Sequence, residues 1–323
     1  MKDIDVSTSG CDVSALGNQY ERRVARDISY ASSAQTRSGR LLIRAMENAT
    51  GRLRLIKRVR GYGNDLRHDR DIWHVIADRY GLDLDIVGGS LDAIPKTGPL
   101  IVVSNHPYGI LDGLMLGHIL SRTRGDFRIL AHSVFKQAKD IDRVILPVSF
   151  DQTKEAVKLN LDTRSEAVTY LGQGGCVGIF PGGTVSTSAT PMGLPLDPKW
   201  RSFTAKMIAK SNAQVVPIYF EGSNSRLFQL ASHFHTTLRM GLLIREFRSK
   251  INRPVRVVIG TPLSPKDLAP YRRDPKKMMD FLRARTYALS PHPLDECALG
   301  YEFEGKHKTK AGKAPRRRLK DRY

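Results

Sequence analysis

Leu100-Ile-Val-Val-Ser-Asn-His-Pro-Tyr-Gly-Ile-Leu-Asp-Gly-Leu114 passes from aliphatic to polar and back to aliphatic within a few residues. Residues 100–103 are uncharged, rich in β-branched side chains and too few for a helix, which predicts a strand buried on both faces. Pro107 and Gly109 break any regular hydrogen-bond ladder, and beyond them the apolar residues resume as a helix. Strand, polar turn and helix together form the unit of an α/β protein, in which loops at strand ends carry the functional side chains.

The same unit recurs on both sides. Short apolar segments lie at residues 84–87, 128–131, 144–148, 177–180, 215–220 and 255–259, with helical stretches at 113–120, 153–171 and 200–210 and a last one at 275–289. This alternation predicts an α/β fold: a mixed, mainly parallel sheet covered by helices. Before the sheet, residues 69–80 read as a helix. Residues 37–60 read as a basic amphipathic helix or helix pair broken near Gly51, with Leu41, Leu42, Leu53 and Leu55 set among Arg40, Arg44, Arg52 and Arg54. The expected organisation is a polar N-terminal arm over 1–36, the amphipathic helical region over 37–80, the α/β domain over 81–290, and an extension over 291–323 ending in a polybasic tail.

The 323 residues carry 52 Lys and Arg against 32 Asp and Glu, a formal charge of +20, and nine of those bases fall in residues 306–323. Such a charge attracts nucleic acid, an anionic phospholipid surface or an acidic carrier protein alike. No apolar run approaches the roughly 20 residues of a spanning helix, and the polar N-terminus lacks the core of a signal peptide. The expected location is the cytoplasmic face of the inner membrane, with peripheral attachment through the amphipathic helix and the tail. A helix packed on its own domain, and a solubilising or nonspecific nucleic-acid tail, are competing explanations of the same segments. No zinc-finger or RNA-binding motif is present, so no specific nucleic acid is expected. Cys11, Cys176 and Cys297 lie too far apart for a metal or redox motif and read as free thiols.

His106 and Asp112 can do chemistry. On a regular helix, six positions rotate a side chain by about 600° and leave the two on different faces, but the intervening turn can bring them together. A carboxylate that holds one imidazole nitrogen fixes the tautomer and leaves the other nitrogen to take a proton. A serine hydrolase using Ser104 or Ser186 is a rival use of such a pair, although no Gly-x-Ser-x-Gly elbow occurs. A non-enzymatic basic protein that binds membrane or nucleic acid is another, and it gives no reason for the histidine segment.

Residues 104–113 resemble the histidine and aspartate box of the glycerolipid acyltransferases, a family that includes the lysophosphatidic acid acyltransferases. The family box usually has four residues between its His and Asp; here five, residues 107–111, separate His106 from Asp112. The resulting Asn-His-Pro-Tyr-Gly-x-Leu-Asp-Gly variant is similar to a bacterial branch that includes lyso-aminolipid acyltransferases. Residues 177–186 resemble the family's Phe-Pro-Glu-Gly-Thr-Arg box: Phe180, Pro181, Gly183 and Thr184 match, while Gly182 replaces Glu and Val185 replaces Arg. Residues 213–222 resemble the apolar strand with a central proline that follows.

The resemblance spans residues 85–265. It implies a glycerol-3-phosphate acyltransferase-like fold, a lysolipid acceptor, acyl-CoA or acyl carrier protein as donor, and neither cofactor nor metal. It implies His106 as general base and Asp112 as its orienter, with substrate contacts from Asn105, Tyr108, Gly109, Phe180, Pro181, Gly182, Gly183 and Thr184. The missing Glu and Arg, associated in the family with glycerol and phosphate, turn the expected acceptor from lysophosphatidic acid toward a lyso-aminolipid. Arg201, Lys206, Arg226 or another basic residue would then supply a replacement cation.

Overall fold

The computed structural model describes residues 29–302, apart from 32, 33, 35, 67–70 and 150–152. Its strands are β1 (Leu82–Gly88), β2 (Leu100–Ser104), β3 (Arg128–His132), β4 (Ile145–Val148), β5 (Cys176–Ile179), β6 (Thr187–Ser188), β7 (Pro195–Leu196), β8 (Gln214–Phe220) and β9 (Arg253–Ile259). Seven of them form one sheet in the order β1-β9-β8-β2-β5-β3-β4, while β6 and β7 form a separate antiparallel pair. All neighbours in the large sheet are parallel except β8 and β9.

The helices are α1 (Arg37–Thr50), α2 (Arg52–Arg58), α3 (Tyr62–Leu66), α4 (Ile72–Tyr80), α5 (Ile110–Thr123), α6 (Lys154–Gly172), α7 (Phe203–Ser211), α8 (Arg226–Phe234), α9 (Thr236–Lys250), α10 (Pro265–Leu268) and α11 (Pro275–Tyr287). They cover both faces of the sheet. Every residue of β2 is buried, and its side chains alternate: Leu100 and Val102 enter a core built with α2, α4, α5 and α9, whereas Ile101 and Val103 enter a second core built with α6, α7 and α11. This is the period-2 geometry of a strand with helices on each side. Gly117 lets α5 lie directly against Trp73 of α4, because an added methyl would overlap the indole.

β2 is the point from which the chain winds both ways. β5, β3 and β4 lie on one side of it, and β8, β9 and β1 on the other. Since β2, β5 and β8 are parallel, their carboxyl ends open on the same edge, the place where open α/β sheets bind ligands. That edge holds Asn105 and His106, Phe180, and Glu221.

The expected strands and the α/β alternation are present, with ends shifted by a residue or two. The helix read at 69–80 runs from Ile72, and that read at 37–60 is the pair α1 and α2 hinged at Gly51, whose φ is +121°. The sequence reading assigns no element to residues 227–250, where the structure places α8 and α9. The apolar residues of α8 form one stripe about 160° wide, running from Leu230 through Phe234, Leu227 and Ala231 to Phe228, but only Ala231 and Phe228 turn inward while Leu227, Leu230 and Phe234 face outward. The described end of the N-terminal arm packs down: Ala31 is buried, and Ser29 Oγ and the Tyr30 N–H both donate to the buried Glu47 at 2.6 Å. Residues 1–28 of that arm, Cys11 among them, and the polybasic tail lie outside the described residues.

Candidate active site

At the end of β2 the Asn105 amide bridges to β8, Nδ2 donating to Phe220 O at 2.8 Å and Oδ1 accepting from Phe220 N at 2.7 Å. These two bonds act as a last ladder rung and leave the chain free to turn at His106. The turn needs Gly109, whose φ of +88° is strained for other residues. Gly109 caps α5, and Asp112, in the first turn of that helix, reaches back: its Oδ2 accepts the N–H groups of Tyr108 at 2.8 Å and Gly109 at 2.9 Å. This is the carboxylate half of a capping box, at the helix end that favours negative charge.

The same Oδ2 lies 3.0 Å from His106 Nδ1. The five intervening residues are thus one turn plus the start of a helix. Asp112 is fully buried, and its Oδ1 has no hydrogen-bond partner among the described residues. Burial raises the Asp112 carboxyl above its ordinary range, opposed by His106 and by the N–H groups of Tyr108 and Gly109. The His106 contact is close but not an aligned hydrogen bond, a looseness common in catalytic pairs before substrate binds.

The segment after β5 forms the opposite wall. The Phe180 ring stacks on His106 with centroids 4.3 Å apart and planes 25° apart. Gly183, at φ +69°, closes a turn by donating its N–H to Phe180 O at 3.0 Å, while the N–H groups of Gly182 and Thr184 have no hydrogen-bond partner among the described residues. Ser186 N donates to His106 O at 2.8 Å, so the two segments are joined through their backbones.

Asp197 and Arg239 hold this wall in place. The buried Asp197 carboxylate accepts from the His106 N–H at 3.2 Å, from Ser186 Oγ, and from Trp200 Nε1 at 2.8 Å. Arg239, buried in α9, donates to Thr184 Oγ1, Val185 O, Thr187 Oγ1 and Ser232 Oγ. A side chain at position 182 would bring its Cβ within 3.2 Å of the Asp197 carboxylate. Here the glycine therefore goes with the acid that packs beside it.

The remaining expected residues separate into two groups. Tyr108 Oη donates to Glu221 O at 2.6 Å, and the main-chain N–H of Arg201 donates to Pro181 O at 3.0 Å, so both belong to the framework of this edge. Arg226 does not join them: its exposed guanidinium donates to Met192 O at 3.0 Å and Gly193 O at 2.6 Å, on the turn between β6 and β7. A cation anchored to two surface carbonyls is a poor stand-in for the missing Arg of the second box.

A different cation is available. Lys250 Nζ, at the end of α9, sits 4.5 Å from the centre of the Tyr108 ring with no ion-pair partner among the described residues. Burial lowers its pKa below the ordinary 10.5, with Glu246 and Asp112 pulling it back up and Arg253 adding to the lowering. Sequence reasoning missed Lys250, Asp197 and Arg239. For Asp197 a signal existed, since residues 167–196 contain no charged side chain and this acid ends that run. Neither Ser104 nor Ser186 is hydrogen-bonded to the imidazole: Ser104 Oγ donates to Asn105 O, and Ser186 Oγ to Asp197. Cys176 is a buried free thiol, pushed up to about 12 by its burial, and Cys297 is free and exposed.

Compared with known proteins, residues 65–296 match the family model described as Acyltransferase. A lyso-glycine lipid O-acyltransferase of Phocaeicola vulgatus is 25% identical over 218 residues, which are 64% of this chain and 74% of that protein. A protein of the same name from Bacteroides thetaiotaomicron is 28% identical over 152 residues, 46% of this chain and 52% of that protein. Among solved structures, the 1-acyl-sn-glycerophosphate (LPA) acyltransferase PlsC of Thermotoga maritima is similar over 87% of this chain and 98% of that chain, with 15% identity and a TM-score of 0.44.

Proposed function

The chain belongs to the acyltransferase family, and from that membership we propose that it transfers a fatty acyl group from a thioester donor to the hydroxyl of a lysolipid, with His106 as general base and Asp112 as its orienter. The observation that carries this reading is the 3.0 Å contact between His106 Nδ1 and Asp112 Oδ2, at the sheet edge where loops from β2, β5 and β8 meet. With Nδ1 facing the carboxylate, Nε2 is left for the acceptor.

In this mechanism Nε2 takes the hydroxyl proton as the oxygen attacks the thioester carbonyl. The Asp112 carboxylate stabilises the imidazolium. When the tetrahedral intermediate collapses, the carbon–sulfur bond breaks and the imidazolium returns its proton to the leaving thiolate, giving an ester and a free thiol. The unengaged N–H groups of Gly182 and Thr184 are suited to the oxyanion, and such preorganised donors are commonly the largest catalytic contribution. The donor is acyl-CoA or acyl carrier protein, and the enzyme works peripherally on an anionic membrane surface.

We read the acceptor as a lyso-aminolipid. Position 182 has no carboxylate to offer, and Arg239, which reaches Val185 O, is spent on protein oxygens. The two relatives named for a lyso-glycine lipid support the same class. An amino-acid headgroup acylated on nitrogen keeps a carboxylate, and Lys250 is the cation we assign to it.

The test is turnover of purified protein with an acyl donor and a panel of lysolipids, including lyso-aminolipids and lysophosphatidic acid. His106→Ala is expected to lower turnover by about 10²- to 10⁴-fold while leaving the circular dichroism spectrum intact. Unchanged turnover in that variant would remove His106 as the base, and preference for lysophosphatidic acid would remove the aminolipid assignment.

A further inference from the structure

The surface built by α1, α2, α8, α9 and the turn joining β6 to β7 is unlike the rest of the molecule. Across residues 37–58 and 226–250 the only acids are Glu47 and Glu246. Both are buried, Glu47 accepting from Ser29 and Tyr30, and Glu246 from Ser225 and Arg245. Every exposed charge on these helices is therefore basic, as at Arg37, Arg40, Arg54, Arg226 and Arg245.

Between those bases runs an apolar ridge. Leu227, Leu230 and Phe234 of α8 are 49%, 36% and 74% exposed, and their spacing of three and four keeps them within roughly 60° of the helix circumference. Leu238, in α9 just past His235, is 36% exposed. Met192 and Leu194, 73% and 54% exposed, stand beside the start of α8, because Arg226 grips the carbonyls of Met192 and Gly193. A second clamp, His233 Nε2 to Ser188 O at 3.0 Å, keeps β6 against the same helix. The strand pair and its turn bring no charge of their own before the buried Asp197.

We infer that this ridge, Leu227, Leu230 and Phe234 with Met192 and Leu194, is the face that inserts into an anionic lipid bilayer. The inference rests on the lipid acceptor proposed above and specifies the element that meets the membrane. An apolar ridge rimmed by bases and free of exposed acids matches a bilayer with acidic headgroups over an acyl boundary, where apolar side chains enter the acyl region and bases pair with headgroups. It fits a soluble acidic carrier poorly, since such a partner would leave large side chains like Phe234 without an apolar counterpart. The ridge is also coupled to the catalytic loop, because α9 directly follows α8 and carries Arg239, which holds Thr184 and Val185. Docking there would place a membrane-borne acceptor beside the second wall of the site.

The experiment uses the full chain and sucrose-loaded vesicles, of phosphatidylcholine alone or of equal parts phosphatidylcholine and phosphatidylglycerol. The double variant Phe234→Ser, Met192→Ser is expected to lower partitioning onto the mixed vesicles about tenfold or more, whereas Leu161→Ser, at an exposed leucine of α6, leaves it unchanged. Turnover of detergent-dispersed lysolipid is expected to stay within about twofold for both, which separates loss of docking from loss of fold or of chemistry. In a second measurement, Phe234→Trp is expected to be quenched by bromine-labelled lipid, against a background of two buried native tryptophans, Trp73 and Trp200. Undiminished partitioning of the double variant, absence of quenching at position 234, or loss of binding only on Leu41→Ser, Leu53→Ser would each overturn the inference. Equal binding to uncharged vesicles would overturn its electrostatic part.

Discussion

Because Oδ2 of Asp112 accepts the N–H groups of Tyr108 and Gly109 while also facing His106 Nδ1, its shape and its charge can be tested apart. Asp112→Asn keeps an oxygen to cap the turn but loses the charge that stabilises an imidazolium. Turnover is expected to fall by about 10²-fold or more, with thermal unfolding close to the parent; equal losses in both would mean that the residue only builds the turn. At Lys250, burial holds the ammonium below the ordinary 10.5, so its charge disappears earlier than that of a free lysine as pH rises. The KM for a carboxylate-bearing acceptor is expected to climb in the alkaline range below 10.5 with kcat little changed, and Lys250→Arg is expected to flatten that rise. Stability moves the other way: across that window the unfolded chain binds more protons than the folded one, so this group favours folding as pH increases. His106 and Asp112 were legible because one short segment carries both. Lys250 was not, because nothing near it in the chain connects it to Tyr108.

At the scale of elements, the altered second box is a packing solution as much as a change of chemistry. The resembling family places Glu at the position of Gly182. Here that space borders the Asp197 carboxylate, which already serves the His106 N–H, Ser186 and Trp200. Gly182→Glu is expected to destabilise the fold by about 1–3 kcal/mol through crowding, and to yield no activity on lysophosphatidic acid; urea denaturation and the lysolipid panel check the two halves. Gain of that activity without loss of stability would show that the pocket, and not Asp197, had been waiting for the acid. The strands were readable from short apolar runs bounded by turns, and α5 from the residues after Gly109. α8 did carry a local signal, Leu227, Phe228, Leu230, Ala231 and Phe234 at helical spacing, whereas in α9 the pattern is broken because Arg239, a charged residue, is among its most buried side chains.

For the whole molecule, the order of strands decides which loops meet. β2 lies between β5 and β8, all three parallel, so segments far apart in the chain share one edge and build a site from two motifs. The excess of +20 charges is likewise given direction only by the fold. Burial of Glu47 and Glu246 removes the two acids from the helices beside the second wall, leaving that surface basic around its apolar ridge. Residues 37–60 were marked for a membrane from their pattern, whereas the ridge of α8 became visible only when the turn carrying Met192 was found beside it. Among the described residues no helix is long and apolar enough to cross a membrane.

The sequence by itself determined the alternation of strands and helices, the turn that presents His106, and the spacing that lets Asp112 face it, because each depends on residues that are neighbours in the chain. Only the tertiary structure decided that Phe180 stacks on the imidazole, that Asp197 and Arg239 hold the facing loop, and that Arg226 belongs to the surface while Lys250 lies over Tyr108. Those contacts join distant segments, and their partners are selected by strand order and by the need to pair buried polar groups, neither of which is written in any local pattern.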